Sequence, residues 1–211
     1  MKYLLLIPFF VLISCGNKEA ILLPKSNVTI VSNVEDHSPI YIFFRNNAKD
    51  TLAAVNRKNE IISTNWIFNI DKRLPLRLVL PEVMKLQEKK RNEVAHKNEL
   101  AQNYYSYADS LHKNLAFIPF TDVVYKMEKP STFESFIYFQ KNGFVKINNT
   151  IYSNTQLSKL NDLFIEHECE IVFSFDKNVS FGEYIQDKIL IDKLVVQKKG
   201  IWINHKKEFI Y

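Results

Sequence analysis

Two stretches of this chain lie over one another at a constant offset, and that echo constrains the fold more than any other feature. IFNIDKRLPLRLVLPEVMKLQ begins at Ile67 and VFSFDKNVSFGEYIQDKILID begins at Val172. Phe68 matches Phe173, Asp71 matches Asp176, and Lys72 matches Lys177. Each stretch reads as an apolar strand, an Asp-Lys turn and an amphipathic helix. Earlier in each half, Ile40-Tyr41 echoes Ile137-Tyr138 before a polar turn. Identities are few, so two readings stand: two related lobes, or a chance likeness between two common strand–turn–helix units. Either way the expected class is α+β, with small mixed sheets and helices packed on one face.

Other elements follow from local pattern. VTIVSNV at 28–34 alternates like a strand, and 40–44, 61–70, 115–120 and 122–127 also read as strands. Leu76, Val79, Val83 and Leu86 have helical spacing; Pro81 is either the first residue of the helix, the favoured reading, or a kink one turn in. EKKRNEVAHKNE, from Glu88, is almost free of apolar residues and reads as a solvated helix end followed by a loop; in a two-lobe chain it would be a polar insertion around 88–111. Asn142-Gly143 between 136–141 and 144–148 is a hairpin signal, because a type I′ turn needs two positive-φ positions. Ser153 to Gln156 has capping-box form, and Ser180 reads as the cap of a helix carrying Phe181, Tyr184, Ile185 and Ile189. The last strand is expected at 201–203, after Gly200.

The first fifteen residues concern address rather than fold. Met1-Lys2 precedes an apolar run from Tyr3 to Ile13, then Ser14-Cys15. That is the form of a secretory signal, and it is too short to span a bilayer, which takes about twenty residues. The ending LISC resembles the lipobox of bacterial lipoproteins. The resemblance implies a signal peptide over 1–14, acylation (palmitate-type) of Cys15 and an extracytoplasmic chain held to the membrane through that lipid. Residues 15–26 would be a lipidated tether, 27–130 a first lobe and 131–211 a second. Gly16, rather than Asp, after the Cys points to the outer membrane rather than the inner.

Composition excludes several classes. The chain has 28 Lys and Arg against 23 Asp and Glu, a formal +5 that falls to +4 when Lys2 leaves with the leader. The excess is scattered, without the dense basic tract that nucleic-acid binding favours, so no nucleic-acid partner is expected. Only two Cys exist; with Cys15 acylated, Cys169 has no partner for a disulfide within the chain. Four Gly cannot assemble a phosphate-binding loop.

From Phe136 to Tyr211 the order of pieces resembles the periplasmic domain of the ExbD/TolR biopolymer-transport family. The pieces are the hairpin leading to FVKINNTIYS, the helix LSKLNDLF, the strand–turn–helix IVFSFDKNVSFGEYI and the closing KKGIWI. The family's strand–Asp–turn and aromatic-Gly pair would be Asp176, Phe181 and Gly182 here. Family members also carry a transmembrane helix with a proton-carrying carboxylate, and the only long apolar run here is the leader, which holds no Asp or Glu. The resemblance therefore implies the soluble part only: a domain that forms a homodimer or docks on periplasmic partners, in some relatives on peptidoglycan.

Catalytic patterns are weak, and no enzyme activity, cofactor or resident metal is expected. Glu166-His167-Glu168-Cys169-Glu170 has ligand-type side chains, but neighbours in an extended segment point to opposite faces. His96 and His112 lack a metalloprotease frame. Asp71 and Asp176 are expected to serve as structural turn residues that accept hydrogen bonds at helix entrances rather than as paired acid and base, with Phe181 and Gly182 beside Asp176 as a partner contact. The leading expectation is a non-catalytic envelope lipoprotein that binds transport or energy-transduction machinery, or peptidoglycan. The rivals are an envelope hydrolase or metal-binding enzyme, and an inhibitor or immunity lipoprotein.

Overall fold

A computed structural model describes residues 19–47, 50–131, 135–147, 150–153, 156–157, 169–194 and 201–211. The leader, Cys15, the expected helix after Gln156 and the acidic cluster up to Glu168 lie outside the described residues. The class is α+β, with two mixed six-stranded sheets.

The first sheet is built from β1 (Lys25–Ser26), β2 (His37–Asn46), β3 (Thr51–Asn56), β4 (Asn65–Ile70), β5 (Asn103–Asp109) and β6 (Asn114–Pro119), with α1 (Leu76–Asn92) between β4 and β5. The second contains β7 (Val124–Lys126), β8 (Ser135–Gln140), β9 (Phe144–Ile147), β10 (Thr150–Ser153), β11 (Cys169–Phe175) and β12 (Ile201–Ile210), with α2 (Phe181–Asp192) between β11 and β12. The two sheets share one plan. A hairpin, β2–β3 or β8–β9, lends its first strand to a parallel pairing with β4 or β11. That strand feeds the helix, and the next strand returns parallel to it, giving the orders β3-β2-β4-β5 and β9-β8-β11-β12. A short strand, β1 or β7, then pairs parallel with the returning strand. The echo in the sequence is thus a repeat of topology.

The repeats meet at their helix entrances. Pro75 and Ser180, which match one another in the echo, face each other in an antiparallel bridge. Leu76 N donates to Val179 O at 3.0 Å, while Phe181 N donates to Leu74 O at 2.7 Å. Arg77 N donates to Lys177 O and Gly182 N to Lys72 O, both at 2.9 Å. Each bond has its mate on the other side, so an approximate dyad runs through the Pro75/Ser180 pair. One contiguous core spans both lobes, from Ile40, Trp66 and Phe68 to Phe173, Phe181 and Tyr184.

Several elements differ from the expectations above. α1 opens at Leu76, not near Pro81, and Pro81 lies inside it. Pro75 offers no side-chain cap; the first free N–H groups are satisfied by the carbonyls of Val179 and Lys177. Leu76, Val79, Leu80, Val83 and Leu86 are fully buried along the helix, each contributing roughly 1.5–3 kcal/mol of apolar burial. The polar insertion around 88–111 is overturned, because β5 pairs with β4 and β6 inside the sheet. Residues 28–34 form no strand; the segment pairs only at Val31, in an isolated antiparallel bridge with Phe117. The expected tether over 15–26 is docked from Glu19 onward. Arg45 bonds Glu19 at 2.6 Å, Leu22 exchanges bonds with Asp71 and Lys72, and Lys25–Ser26 is β1. A boundary at 130 places β7 with the first lobe, yet it pairs with β12 of the second sheet.

Local signals held where they were self-contained. Asn142 and Gly143 adopt φ of 68° and 74° in the β8–β9 turn. Ser180 caps α2 with a reciprocal bond to Glu183.

Candidate functional site

The singled-out residues lie at the two helix entrances. Asp71 is 1 % exposed and accepts from Leu22 N, Arg73 N and both sides of the Arg73 guanidinium, the last two at 2.8 Å. Burial pushes its carboxyl up, but the Arg73 bonds outweigh this and hold it below the ordinary carboxylate range. Asp176 accepts from Asn178 N at 2.8 Å and from the Asn178 amide at 3.2 Å. Asp176 is committed to its own turn, and Asp71 to its own turn and to the N-terminal segment at Leu22. The structure does not gather them into a shared acid–base pair.

Phe181 and Gly182 face the other lobe rather than solvent. Phe181 is fully buried, edge-on to Tyr105 at 5.3 Å. A Cβ built on Gly182 would meet the Lys72 Cβ at 3.1 Å and its carbonyl oxygen at 3.2 Å. That carbonyl already accepts from Gly182 N, so it cannot retreat without losing the bond. Gly182→Leu is expected to cost about 1–3 kcal/mol through overpacking, read as an earlier urea midpoint with unchanged slope. An unshifted midpoint would mean that the two turns are not in close contact.

A second group of ionisable residues was not foreseen. Tyr105 from the first sheet bonds Tyr125 at 2.8 Å, and Tyr184 bonds Glu208 at 2.7 Å. The Lys188 ammonium donates to the other Glu208 oxygen. Glu208 is 0 % exposed and Lys188 7 %. Burial pushes all three tyrosine hydroxyls well above their ordinary range, and the nearby Glu208 charge adds to this. The cluster spans β5, β7, α2 and β12, and so ties the two lobes together. The sequence carried partial signals: the Tyr104, Tyr105 and Tyr107 cluster reads as core or rim packing, and Tyr184 lies on the apolar face of its helix four positions before Lys188.

Lys90 occupies a cleft of about 210 Å³ with Gln87, Arg91, Asn103 and Thr121 in its lining. Its ammonium donates to Thr64 O, Gln102 O and the Asn103 side chain, and lies 4.9 Å from the Trp66 ring centre. Burial brings it down to about 8. All three donors are used, pinning the turn before β4 and the start of β5 to the end of α1. Among the described residues, no group of three or more His, Cys, Asp or Glu side chains is placed to hold a metal ion.

Asp187 on α2 is 5 % exposed. Burial, helped by Glu183 one turn earlier, pushes it up to about 8. The fold therefore keeps a proton that the unfolded chain releases near pH 4. Stability should fall as pH rises from about 4 to about 8. Asp187→Asn is expected to flatten that fall and raise Tm at pH 8 by several degrees relative to wild type. An equal Tm difference at pH 4 and pH 8 would refute the assignment.

Compared with protein-family models, curated proteins and solved structures, the chain finds no match.

Proposed function

We propose that this protein is a non-catalytic, lipid-anchored component of a bacterial cell envelope, in which two fused ExbD/TolR-like lobes bind another envelope component, either a protein of transport or energy-transduction machinery or peptidoglycan. One observation carries the non-catalytic part. The acid- and base-bearing side chains that the fold gathers at the joint, namely Tyr105, Tyr125, Tyr184, Lys188 and Glu208, are bonded to one another and sealed from solvent. Such a cluster holds lobes together and offers no access to a substrate. The LISC sequence supports the anchor, and no described helix is long and apolar enough to cross a membrane.

The anchor is tested first. Cys15→Ser should accumulate as uncleaved precursor, because acylation acts on the thiol; mature-sized, membrane-bound Cys15→Ser protein would refute it. Membrane fractionation tests the outer-membrane assignment. The binding role is tested by capture from the native envelope followed by reconstitution of the purified pair, or by sedimentation with purified peptidoglycan. Hydrolase activity, or stoichiometric zinc in protein purified without chelator, would overturn the non-catalytic reading.

A further inference from the structure

The outer face of the first sheet carries a surface that the core does not use. Along β2 and β3 the residues alternate strictly. Phe44, Ala53 and Val55 pack against the core, whereas Tyr41, Phe43 and Arg45 lie opposite Asn56, Ala54 and Leu52 on the other face. On that face Tyr41 and Phe43 stack with ring centres 5.8 Å apart, and the Arg45 guanidinium lies 5.9 Å from the Phe43 ring. Leu52 is 46 % exposed. The shallow groove beside them is lined by Glu19, Arg45, Arg57 and Lys58; Arg45 is paired with Glu19 and Arg57 with Glu82 of α1, so Lys58 carries the positive charge left over.

The position of Glu19 gives this face its meaning. Its ion pair with Arg45 fixes the start of the docked chain on the groove. Cys15 lies four positions earlier, a reach of at most about 14 Å even when fully extended. An acyl chain on Cys15 enters the bilayer at that point, so the groove cannot stand farther from the headgroups than this short span. Partly exposed aromatic rings, an exposed Leu52 and one lysine whose charge is not offset are side chains that favour the interface of a membrane, the lysine favouring an anionic one.

We propose that the outer face of β2–β3, with Tyr41, Phe43, Arg45, Leu52 and Lys58, lies against the surface of an anionic lipid bilayer and so fixes the orientation of the whole molecule. The proposal rests on acylation of Cys15. With this face on the membrane, the remaining surface, including the second sheet, is presented to partners in a set orientation.

The test uses the full acylated chain in vesicles of phosphatidylethanolamine and phosphatidylglycerol, with Cys169→Ser removing the other thiol. A fluorophore is attached at Leu52→Cys, with Lys58→Cys as a second reporter on the same face and Ile151→Cys on the edge strand β10 as the comparison. Headgroup-nitroxide lipids should quench the labels at 52 and 58 at least twofold more than the label at 151. Equal quenching at all three positions, in protein whose mass shows the lipid on Cys15, overturns the orientation and leaves the anchor standing. Protein without that mass overturns both. Self-quenching between labels at 52 would place a second copy on the face, and that result also overturns the proposal.

Discussion

Glu208→Ala is expected to lower stability by about 3–5 kcal/mol, because it leaves the Lys188 ammonium buried without its counter-charge. In a chain of this size that corresponds to a Tm fall on the order of 10 °C. The Tyr184 hydroxyl loses its acceptor in the same step. Glu208→Gln keeps an acceptor for Tyr184 but not the charge, so it should recover only part of the loss. The double change Lys188→Met with Glu208→Leu should be far milder than Glu208→Ala alone, since replacing a buried pair with apolar residues removes both desolvation costs together. A Glu208→Ala protein within about 1 kcal/mol of wild type would mean that Lys188 finds water or another acceptor, and that the cluster does not hold the joint.

The consequence reaches beyond one ion pair. The Tyr125 and Tyr184 hydroxyls lie 3.5 Å apart, and Tyr105 reaches Tyr125 from the other sheet. Loosening Glu208 therefore disturbs a chain of polar groups whose alternative partners are apolar rings. Polar groups in such surroundings are costly when left unpaired. The same enclosure that stabilises the joint seals these groups from solvent, so the stability of the joint and the proposed non-catalytic role rest on the same residues.

What could be read from sequence was what is decided within a few residues. Asn142-Gly143 specifies its turn because its two positive-φ positions are intrinsic to those residue types. Ser180 and Glu183 cap α2 with each other, so the signal is complete in four residues. The start of α1 was illegible for the opposite reason: its first N–H groups are satisfied by Val179 and Lys177, a hundred or so positions along the chain. β5 looked like a loop because NYYSYAD mixes polar and aromatic residues. Asn103 and Ser106 are buried because Lys90 and Asn69 satisfy them, and that pairing has no local trace. The last strand, expected over 201–203, runs on to Ile210 through a charged stretch, with Glu208 admitted to the core by Lys188. The strand-like 28–34 segment failed because alternation specifies a pleated face but not a neighbour to pair with. At the candidate site, Asp71 and Asp176 each accept the N–H two residues on, an arrangement complete within its own turn, whereas the use of Phe181 and Gly182 against the other lobe depends on the dyad.

Phe181→Ala is expected to destabilise by about 3–5 kcal/mol, the usual range for emptying a buried phenylalanine site. Phe181 is the first helical residue after the Ser180 cap, a position that is commonly solvated, yet here it is fully buried. Its ring meets Tyr105 edge-on, and Tyr105 stacks on Phe120 at 3.8 Å. Removal therefore opens a void between rings of both lobes rather than within one. Phe181→Leu retains most of the volume and should cost less than half as much. Because a single core cluster runs through both sheets, the alanine variant should still melt in one transition, shifted down as a whole. Far-UV circular dichroism would follow both lobes and tryptophan fluorescence chiefly the first, since Trp66 is fully buried and Trp202 is 52 % exposed. Coincident curves displaced by about 10 °C are the expected result. If the fluorescence of Trp66 kept its wild-type midpoint while part of the circular dichroism signal melted early, the lobes would be independently folded bodies, and the joint built by Phe181, Tyr105 and Glu208 would be a contact rather than a shared core.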